Sequence, residues 1–235
     1  MFSTTPVNLG TPVSEGMAVW ASGPKPRIER VAWAAADGVT GTEIKRMSMH
    51  TGTHVDAPAH FIPGGKWIDD YPIDKYSGQG VALDISHLQP RDPITRKTLA
   101  AFEDDIHNGD VVMCHTGWSD RRGLTSDYLF EFPYLTEGAG EYLCEREAHA
   151  VGVDTLSVDG FTETLPNQDP VAETPVDVSH LTVLENDILP IEVVDNLDDL
   201  LDGWRSRRAF FDYAPVRFIE VEASPTRPVA YPIAD

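Results

Sequence analysis

Residues 50–60 read HTGTHVDAPAH and concentrate more metal-binding and proton-transfer side chains than any other window of the chain. Three histidines and one aspartate follow one another at steps of four, two and four: His50, His54, Asp56 and His60. Imidazole and carboxylate groups bind divalent metals, and imidazole also exchanges protons near neutral pH. The segment is therefore the candidate functional centre of the protein.

The spacing of these four residues restricts how the chain can run. In an α-helix each residue turns by about 100°, so the last two members would point away from the first two. A glycine and a proline inside the segment also disfavour a helix interior. A straight strand would place all four on one face, but ten extended residues span roughly 33 Å, too far for one site. We therefore predict a strand end that curls and lets the four side chains converge.

The length and composition are those of one folded domain. At 235 residues the chain is long enough to bury a substantial core, and we expect a single domain over residues 1–235. The composition, 41% hydrophobic and 24% charged, is typical of a globular protein. The 18 glycines and 18 prolines favour turns and strands over a helical bundle.

The charge balance bears on partners and location. A net charge of −20, from 38 acidic and 18 basic residues, argues against nucleic acid as a partner, because phosphate binding needs a basic surface. No segment approaches the ~20 apolar residues of a membrane span, so we expect no membrane partner. Cys114 and Cys144 lie among apolar residues and are expected to be buried thiols. Without a disulfide framework or an N-terminal signal peptide, we expect a reducing, cytoplasmic location.

The hydrophobic pattern predicts a mixture of strands and short helices. Strands are predicted over 28–34, 42–49, 80–87, 110–115, 151–159 and 188–194, with two short strands within 6–20 and a hairpin of 209–213 with 216–221. Helices are predicted over 98–107, 137–150, 179–186 and 196–204, with Thr98 as an N-cap, and loops over 119–135 and 160–175. Since strands and helices do not alternate strictly, the fold class is α+β or mixed α/β, with a curved sheet or partial barrel.

Three further residues stand where a site is often found. Trp20 lies at a strand–loop junction, where it either packs in the core or forms an aromatic wall for a flat substrate. His115 ends a buried-type strand and is interpreted as structural. His87 leaves a strand and is interpreted as a surface or capping residue.

The chemistry of the 50–60 segment favours a divalent metal. Two imidazoles and a carboxylate suit Zn²⁺, Mn²⁺ or Fe²⁺. Such an ion lowers the pKa of a water molecule from ~15.7 towards ~7, and hydrolysis of an amide, ester or lactam is its commonest use. The alternative is that the histidines are structural hydrogen-bonding groups in a loop.

Residues 50–61 match the signature HxGTHxDxPxHF, and in this the chain resembles the metal-dependent cyclase/hydrolase family. That family includes bacterial kynurenine formamidases and isatin hydrolases. The resemblance extends to residues 109–118, 152–159 and 214–217 and covers most of residues 7–220, leaving the tail 222–235 outside it. It implies a swivelling β/β/α cyclase-like fold with a barrel-like sheet, a homodimer or homotetramer, and one or two Zn²⁺ or Mn²⁺ ions per subunit.

The resemblance also implies roles for the residues of the signature. His50, His54 and Asp56 correspond to ligands of the first metal, and Asp56 would bridge to a second metal where two are bound. His60 corresponds to the proton donor and acceptor of the family.

Three roles are implied outside the signature. His180 resembles a ligand of the second metal, and Glu192 resembles a bridging carboxylate that also serves as a base. Trp20 falls where the formamidases place a tryptophan that contacts the substrate, although Ala-Ser-Gly follows it here instead of their usual Pro-Gly-Asp. Without the resemblance, His180 would be interpreted as a helix-capping residue and Glu192 as a buried or edge carboxylate.

The implied activity is hydrolysis of an amide, lactam or ester bond in a small aromatic metabolite. His60 would move protons between water and the leaving group. A metal-dependent cyclase or dehydratase of a biosynthetic pathway is the alternative enzyme, and a non-catalytic metal-binding homologue is the alternative from another class. His60 favours an enzyme, because the first metal does not need it.

Overall fold

A computed structural model describes residues 5–20, 23–161 and 178–233 of the chain. The predicted 160–175 loop lies almost wholly outside these residues, as do the alanine and serine that follow Trp20.

Thirteen strands, six α-helices and four 3-10 helices form the described part of the chain. The strands are β1 Val7–Asn8, β2 Arg27–Ala32, β3 Gly41–Arg46, β4 His54–Asp56, β5 Ser77–Asp84, β6 Pro93–Ile94, β7 Val111–His115, β8 Tyr134–Leu135, β9 Ala150–Val153, β10 Leu189–Glu192, β11 Ser206–Asp212, β12 Ala223–Pro225 and β13 Val229–Pro232. The α-helices are α1 Ala34–Asp37, α2 Arg96–Ala100, α3 Ser126–Phe130, α4 Glu137–Glu145, α5 Val178–Glu185 and α6 Leu197–Leu201, and the 3-10 helices are Pro58–His60, Ile68–Asp70, Ile73–Tyr76 and Ser119–Arg121. None of the helices in these residues is long and apolar enough to cross a membrane.

Nine strands form one mixed sheet in the order β1-β13-β11-β5-β7-β9-β10-β4-β12. The central strands β5, β7, β9 and β10 are parallel, and the flanking pairs are antiparallel. The sheet curls, as a bridge between its parts shows. Gly10 follows the edge strand β1 and pairs with Val194, which follows β10. This confirms the mixed α/β class and the barrel-like sheet.

The central strands are buried on both faces, as parallel strands usually are. Along β7, Val112 and Cys114 face the helices, while Val111 and Met113 face the inside of the curled sheet. Side chains of α2, α4 and α5 complete the first core, and α6 closes the second. The period-2 alternation of apolar residues thus produces two hydrophobic layers from one strand.

The hairpin β2–β3 was predicted at nearly the observed bounds, and it forms its own two-stranded antiparallel sheet. Helix α5, strand β7 and strand β10 also lie where they were predicted.

Two predicted helices are wrong in their boundaries. Helix α2 begins earlier, because Thr95 rather than Thr98 is the N-cap and accepts a hydrogen bond from the Thr98 amide. Helix α4 ends at Glu145 instead of continuing to residue 150, because Glu147 adopts a left-handed φ of 51°.

The prediction of an irregular loop over 119–135 is also wrong. This segment contains a 3-10 turn, helix α3 and strand β8. Thr125 caps α3 by accepting from the Tyr128 amide, and the Tyr128 side chain is buried. The many charged residues conceal these short elements in the sequence.

The chain ends differ from the predicted hairpins. Strand β11 pairs with β5 and β13, and the described residues 216–221 contain no strand. Within 6–20 only β1 forms, because the following residues leave the sheet and line the site. The C-terminal tail contributes β12 and β13 to the main sheet.

Candidate metal centre

The 50–60 segment curls as its spacing predicted. Gly52 has a left-handed φ of 67°, the short strand β4 follows, and the 3-10 helix Pro58–His60 ends the segment. His54 and Asp56 stand two residues apart on β4 and so point to the same face. The Thr53 hydroxyl fixes the turn by donating to the Val193 carbonyl at 2.6 Å.

Distant parts of the chain supply the other half of the site. Strand β10 runs antiparallel to β4 and places Glu192 directly opposite His54. Facing residues of paired strands lie on the same side of a sheet, so both side chains enter the site. Helix α5 contributes His180, which is buried.

Asp56 has one carboxylate oxygen on each side of the site. Its Oδ1 lies 3.1 Å from Nδ1 of His50 and 3.3 Å from Nε2 of His54. Its Oδ2 lies 3.4 Å from Nε2 of His180. Glu192 is arranged in the same way, with Oε2 3.3 Å from Nε2 of His54 and Oε1 3.2 Å from Nε2 of His180.

Each of these three imidazoles also has a partner on the nitrogen that faces away from the site. Nδ1 of His54 is 2.8 Å from the Gly52 carbonyl, and Nδ1 of His180 is 2.6 Å from Oδ2 of Asp159. Nε2 of His50 is 3.4 Å from Oε1 of Glu222. Metal-binding histidines are typically oriented by such outer carbonyl and carboxylate partners.

Some of the inner atoms bond to each other or to the backbone: Nδ1 of His50 is 3.1 Å from Nε2 of His54, and Oε1 of Glu192 accepts from the Val158 amide. Both carboxylate oxygens of Asp56 and Nε2 of His180, however, are buried and have no hydrogen-bond partner among the described residues. Leaving buried polar atoms unpaired is costly. Ligand atoms of His54, Asp56 and Glu192 lie within 4.8 Å of one another, as do those of His50, Asp56 and His60. The donor set therefore fits a divalent cation.

The charges of these groups are strongly coupled. Burial would raise the pKa of Asp56, but the facing imidazoles of His50 and His54 hold it well below its usual range. Burial would lower the pKa of His50, but the Asp56 carboxylate outweighs it and raises that pKa to about 9. For Glu192, burial and the Asp56 charge are outweighed by His180 and His54, and its pKa falls to about 2. Both carboxylates are thus anionic.

His60 stands beside this group rather than inside it. Its ring centre is 4.3 Å from that of His50 and 5.9 Å from that of His180. Burial lowers the pKa of His60, which favours the neutral imidazole. A neutral ring at this place can accept a proton from a molecule in the site.

A cavity of about 400 Å³ opens onto these residues. Trp20, Phe61 and Leu156 contribute apolar walls, and Ser48 and Ser157 contribute hydroxyls. The Phe61 ring stacks on the His180 ring with centres 4.6 Å apart. Pockets of this kind, apolar with a few convergent polar groups, are typical of small-molecule sites.

Trp20 lies between the aromatic cluster and the cavity, and its predicted contact with a substrate stays a prediction. Its ring packs 5.3 Å from that of Phe161, within an aromatic cluster, and it also lines the cavity.

The remaining candidates lie outside the centre. His115 contacts Asp154 at 3.4 Å and does not line the cavity, in keeping with its structural interpretation, and His87 is exposed. Cys114 is buried as predicted, whereas Cys144 is only partly buried, and both are unpaired.

Two carboxylates next to the imidazoles, those of Asp159 and Glu222, were not predicted from the sequence. Asp159 lies in the 152–159 segment that resembles the family, and that resemblance is the signal that could have found it, because the strand predicted over 151–159 ends at Val153. Glu222 follows an irregular segment and gives no local signal.

Comparison with known proteins identifies the group to which the chain is related. The model of the Cyclase family matches residues 7–160. The chain belongs to the Cyclase family. The matched part includes the 50–60 segment and Asp159, while His180 and Glu192 lie beyond it.

Individual members of the family resemble the chain over nearly its whole length. A kynurenine formamidase of Bacillus cereus is 27% identical over 228 residues, which is 97% of each chain. Isatin hydrolase A from Labrenzia aggregata, solved with benzyl benzoate, is 25% identical with a TM-score of 0.81, over 96% of this chain and 93% of that one. A structure described as a predicted metal-dependent hydrolase from Bacillus stearothermophilus is 27% identical with a TM-score of 0.73, over 96% and 97% of the two chains.

Proposed function

We propose that the protein is a metal-dependent hydrolase that cleaves an amide, lactam or ester bond of a small aromatic metabolite. The formamidase and the isatin hydrolase among its relatives support this reaction class. The observation that carries the proposal is the Asp56 carboxylate, whose two buried oxygens have no hydrogen-bond partner among the described residues. One oxygen faces the imidazoles of His50 and His54, and the other faces the imidazole of His180.

The residues of the centre can be assigned to two divalent ions. His50, His54 and Asp56 would hold a first ion, and His180 with Glu192 and the second oxygen of Asp56 would hold another. A divalent ion supplies a Lewis acid for the carbonyl and hydroxide near neutral pH. Zn²⁺ and Mn²⁺ are the ions we propose, because both accept mixed imidazole and carboxylate ligands.

His60 is the residue we assign to proton transfer. Water adds its oxygen to the carbonyl carbon, the bond from that carbon to nitrogen or oxygen breaks, and the leaving atom takes a proton. His60 can receive the proton from water and deliver it to the leaving atom, since its ring borders the cavity and its neutral form is favoured. Glu192 is held in place by the Val158 amide, which donates to Oε1 at 2.8 Å, and would bridge ions or act as a base.

The cavity supports an aromatic substrate. Trp20 and Phe61 present rings to the space beside the imidazoles, and aromatic pairs add about 0.5–1.5 kcal/mol beyond the area they bury. A planar anilide, lactam or aryl ester would lie against these rings with its carbonyl towards the centre.

We further propose a homodimer or homotetramer in a reducing, cytoplasmic setting. Apolar side chains of the β2–β3 hairpin are exposed, among them Val31, Trp33 and Ile44. An isolated hairpin is marginally stable in water, so a second copy is a suitable partner for it. The two unpaired cysteines agree with a reducing compartment.

The proposal is tested with metal-stripped protein reloaded with Zn²⁺ or Mn²⁺. We expect turnover of at least one member of a panel of formanilide, isatin and phenyl acetate, with ¹⁸O from labelled water in the acid product. Product formation without ¹⁸O would favour a cyclase or dehydratase. Tight metal binding with no turnover of the panel would favour a non-catalytic homologue.

A further inference from the structure

Asp159 is the most extensively bonded carboxylate next to the candidate centre. It lies in the irregular segment that follows strand β9, is 4% exposed, and accepts four hydrogen bonds from the first residues of helix α5. The catalytic roles assigned above do not use it.

The two oxygens of Asp159 have separate partners. Oδ1 accepts from the Ser179 amide at 3.1 Å, from the His180 amide at 3.2 Å and from the Ser179 hydroxyl. Among the described residues, Oδ2 accepts from the imidazole of His180 alone, whose Nδ1 is 2.6 Å away. One oxygen therefore binds the start of the helix, and the other binds the ring.

The ring bond has a consequence on the opposite side of the imidazole. A carboxylate can only accept, so Nδ1 of His180 must carry a proton. In the neutral ring the lone pair is then on Nε2, which faces Asp56 and Glu192. Nε2 has no hydrogen-bond partner among the described residues. Only that tautomer can bind a metal from this position.

We propose that Asp159 is a positioning residue that holds His180 in the tautomer able to bind a metal. In this way it sets the metal affinity of the half of the centre formed by His180 and Glu192. This inference rests on the proposed metal-dependent function. It implies that loss of Asp159 weakens the ion at His180 and leaves the ion at His50 and His54 in place.

A purely structural role for Asp159 makes a different prediction. If Asp159 only bound the amides at the start of α5, its replacement would lower stability without changing the affinity for metal. The division of its two oxygens allows one substitution to separate these roles.

The substitution is Asp159→Asn. Asparagine keeps an acceptor oxygen for the Ser179 and His180 amides but presents an NH₂ donor to Nδ1 of His180. The ring must then accept at Nδ1 and carry its proton on Nε2, where it blocks a ligand position. We expect the second Zn²⁺ to bind about 10- to 100-fold more weakly, the usual cost of losing an outer partner of a metal-binding histidine.

The readout is Zn²⁺ binding to metal-stripped, full-length protein, measured by calorimetry and by competition with a chromophoric chelator. Ser179→Ala is the matched control, because it removes a bond to Oδ1 and leaves the ring bond intact; it should lower the melting temperature without changing affinity. In a His180→Ala background, Asp159→Asn should have no further effect on Zn²⁺ binding.

Three outcomes would overturn the inference. The first is Zn²⁺ binding by Asp159→Asn with wild-type stoichiometry and affinity. The second is an effect of Asp159→Asn that persists undiminished in the His180→Ala protein, and the third is an equal loss of Zn²⁺ affinity in Ser179→Ala. Wild-type protein that binds neither Zn²⁺ nor Mn²⁺ would instead refute the proposed function, and the inference with it.

Discussion

Oδ2 of Asp56 lies 3.4 Å from Nε2 of His180, although one residue comes from strand β4 and the other from helix α5. Both atoms are buried, and neither has a hydrogen-bond partner in the part of the chain that the structure describes. The contact joins the two halves of the candidate centre, because the other oxygen of Asp56 faces His50 and His54. The fold thus creates a site that no single segment contains.

Asp56→Asn should abolish metal binding by both halves. The amide removes the negative charge and replaces one oxygen with a donor. We expect the affinity for Zn²⁺ to fall by more than about 100-fold, because losing a ligand costs more than losing an outer partner of a ligand. Metal content after dialysis, measured by mass spectrometry, checks this. Asp202→Asn is the control, because that side chain is 75% exposed and does not line the cavity. Full metal content in the Asp56→Asn protein would contradict the ligand role.

His60→Ala separates proton transfer from metal binding. If His60 only moves protons, metal content should remain and kcat should fall by about 10²- to 10⁴-fold. If it is a ligand, as its closeness to His50 and Asp56 also allows, metal affinity should fall together with kcat. Unchanged turnover would contradict both roles.

Part of this centre was predictable from local sequence, because its spacing follows from strand geometry. The even offset between His54 and Asp56 requires one face of a strand, and Gly52 supplies the left-handed turn before it. These relations lie within a few residues, where backbone sterics decide the structure.

The rest depends on strand order, which local patterns do not encode. Glu192 reaches the site because β10 pairs with β4, and His180 because α5 precedes β10. Only the resemblance to a family predicted their roles. Glu222 could not be predicted, because it makes a single contact with His50 from a segment without regular structure. The end of α4 could not be predicted either, because a left-handed φ of 51° at Glu147 ends the helix within a sequence that favours helix.

Trp20→Ala should lower kcat/KM for aromatic substrates more than for aliphatic ones. Removing one aromatic contact of about 0.5–1.5 kcal/mol corresponds to roughly a two- to twelvefold loss in kcat/KM. An aliphatic formamide of similar reactivity should lose less. The ratio of kcat/KM for formanilide to that for N-methylformamide is the measurement, and an unchanged ratio would show that the ring serves only the aromatic cluster with Phe161.

His149 should make the protein less stable in acid. Burial, and then the charge of Lys75, lower the pKa of His149, whose Nε2 is 2.9 Å from the Lys75 carbonyl. Its folded pKa is below the unfolded value of about 6.5, so the unfolded chain binds more protons as pH falls from that value towards the folded pKa. The stability contribution is complete above pH ~6.5 and is lost below it.

His149→Gln tests this linkage, because glutamine can still donate to the Lys75 carbonyl but does not titrate. Between pH 7.5 and 5.5 the wild-type melting temperature should fall further than that of the variant, by a few degrees at most for a chain of this size. His87→Gln is the control, since that histidine is exposed. Parallel pH profiles for wild type and His149→Gln would refute the assignment.

Glu222→Gln should weaken metal binding less than Asp159→Asn does. Oε1 of Glu222 lies 3.4 Å from Nε2 of His50, and its side chain is 38% exposed, whereas Oδ2 of Asp159 is 2.6 Å from His180 and its side chain is 5% exposed. Solvent screens the more exposed pair, and water can replace the lost acceptor. We expect a loss of Zn²⁺ affinity of about tenfold or less in calorimetric titrations. A larger loss in Glu222→Gln than in Asp159→Asn would mean that the His50 side, not the His180 side, depends most on its outer carboxylate.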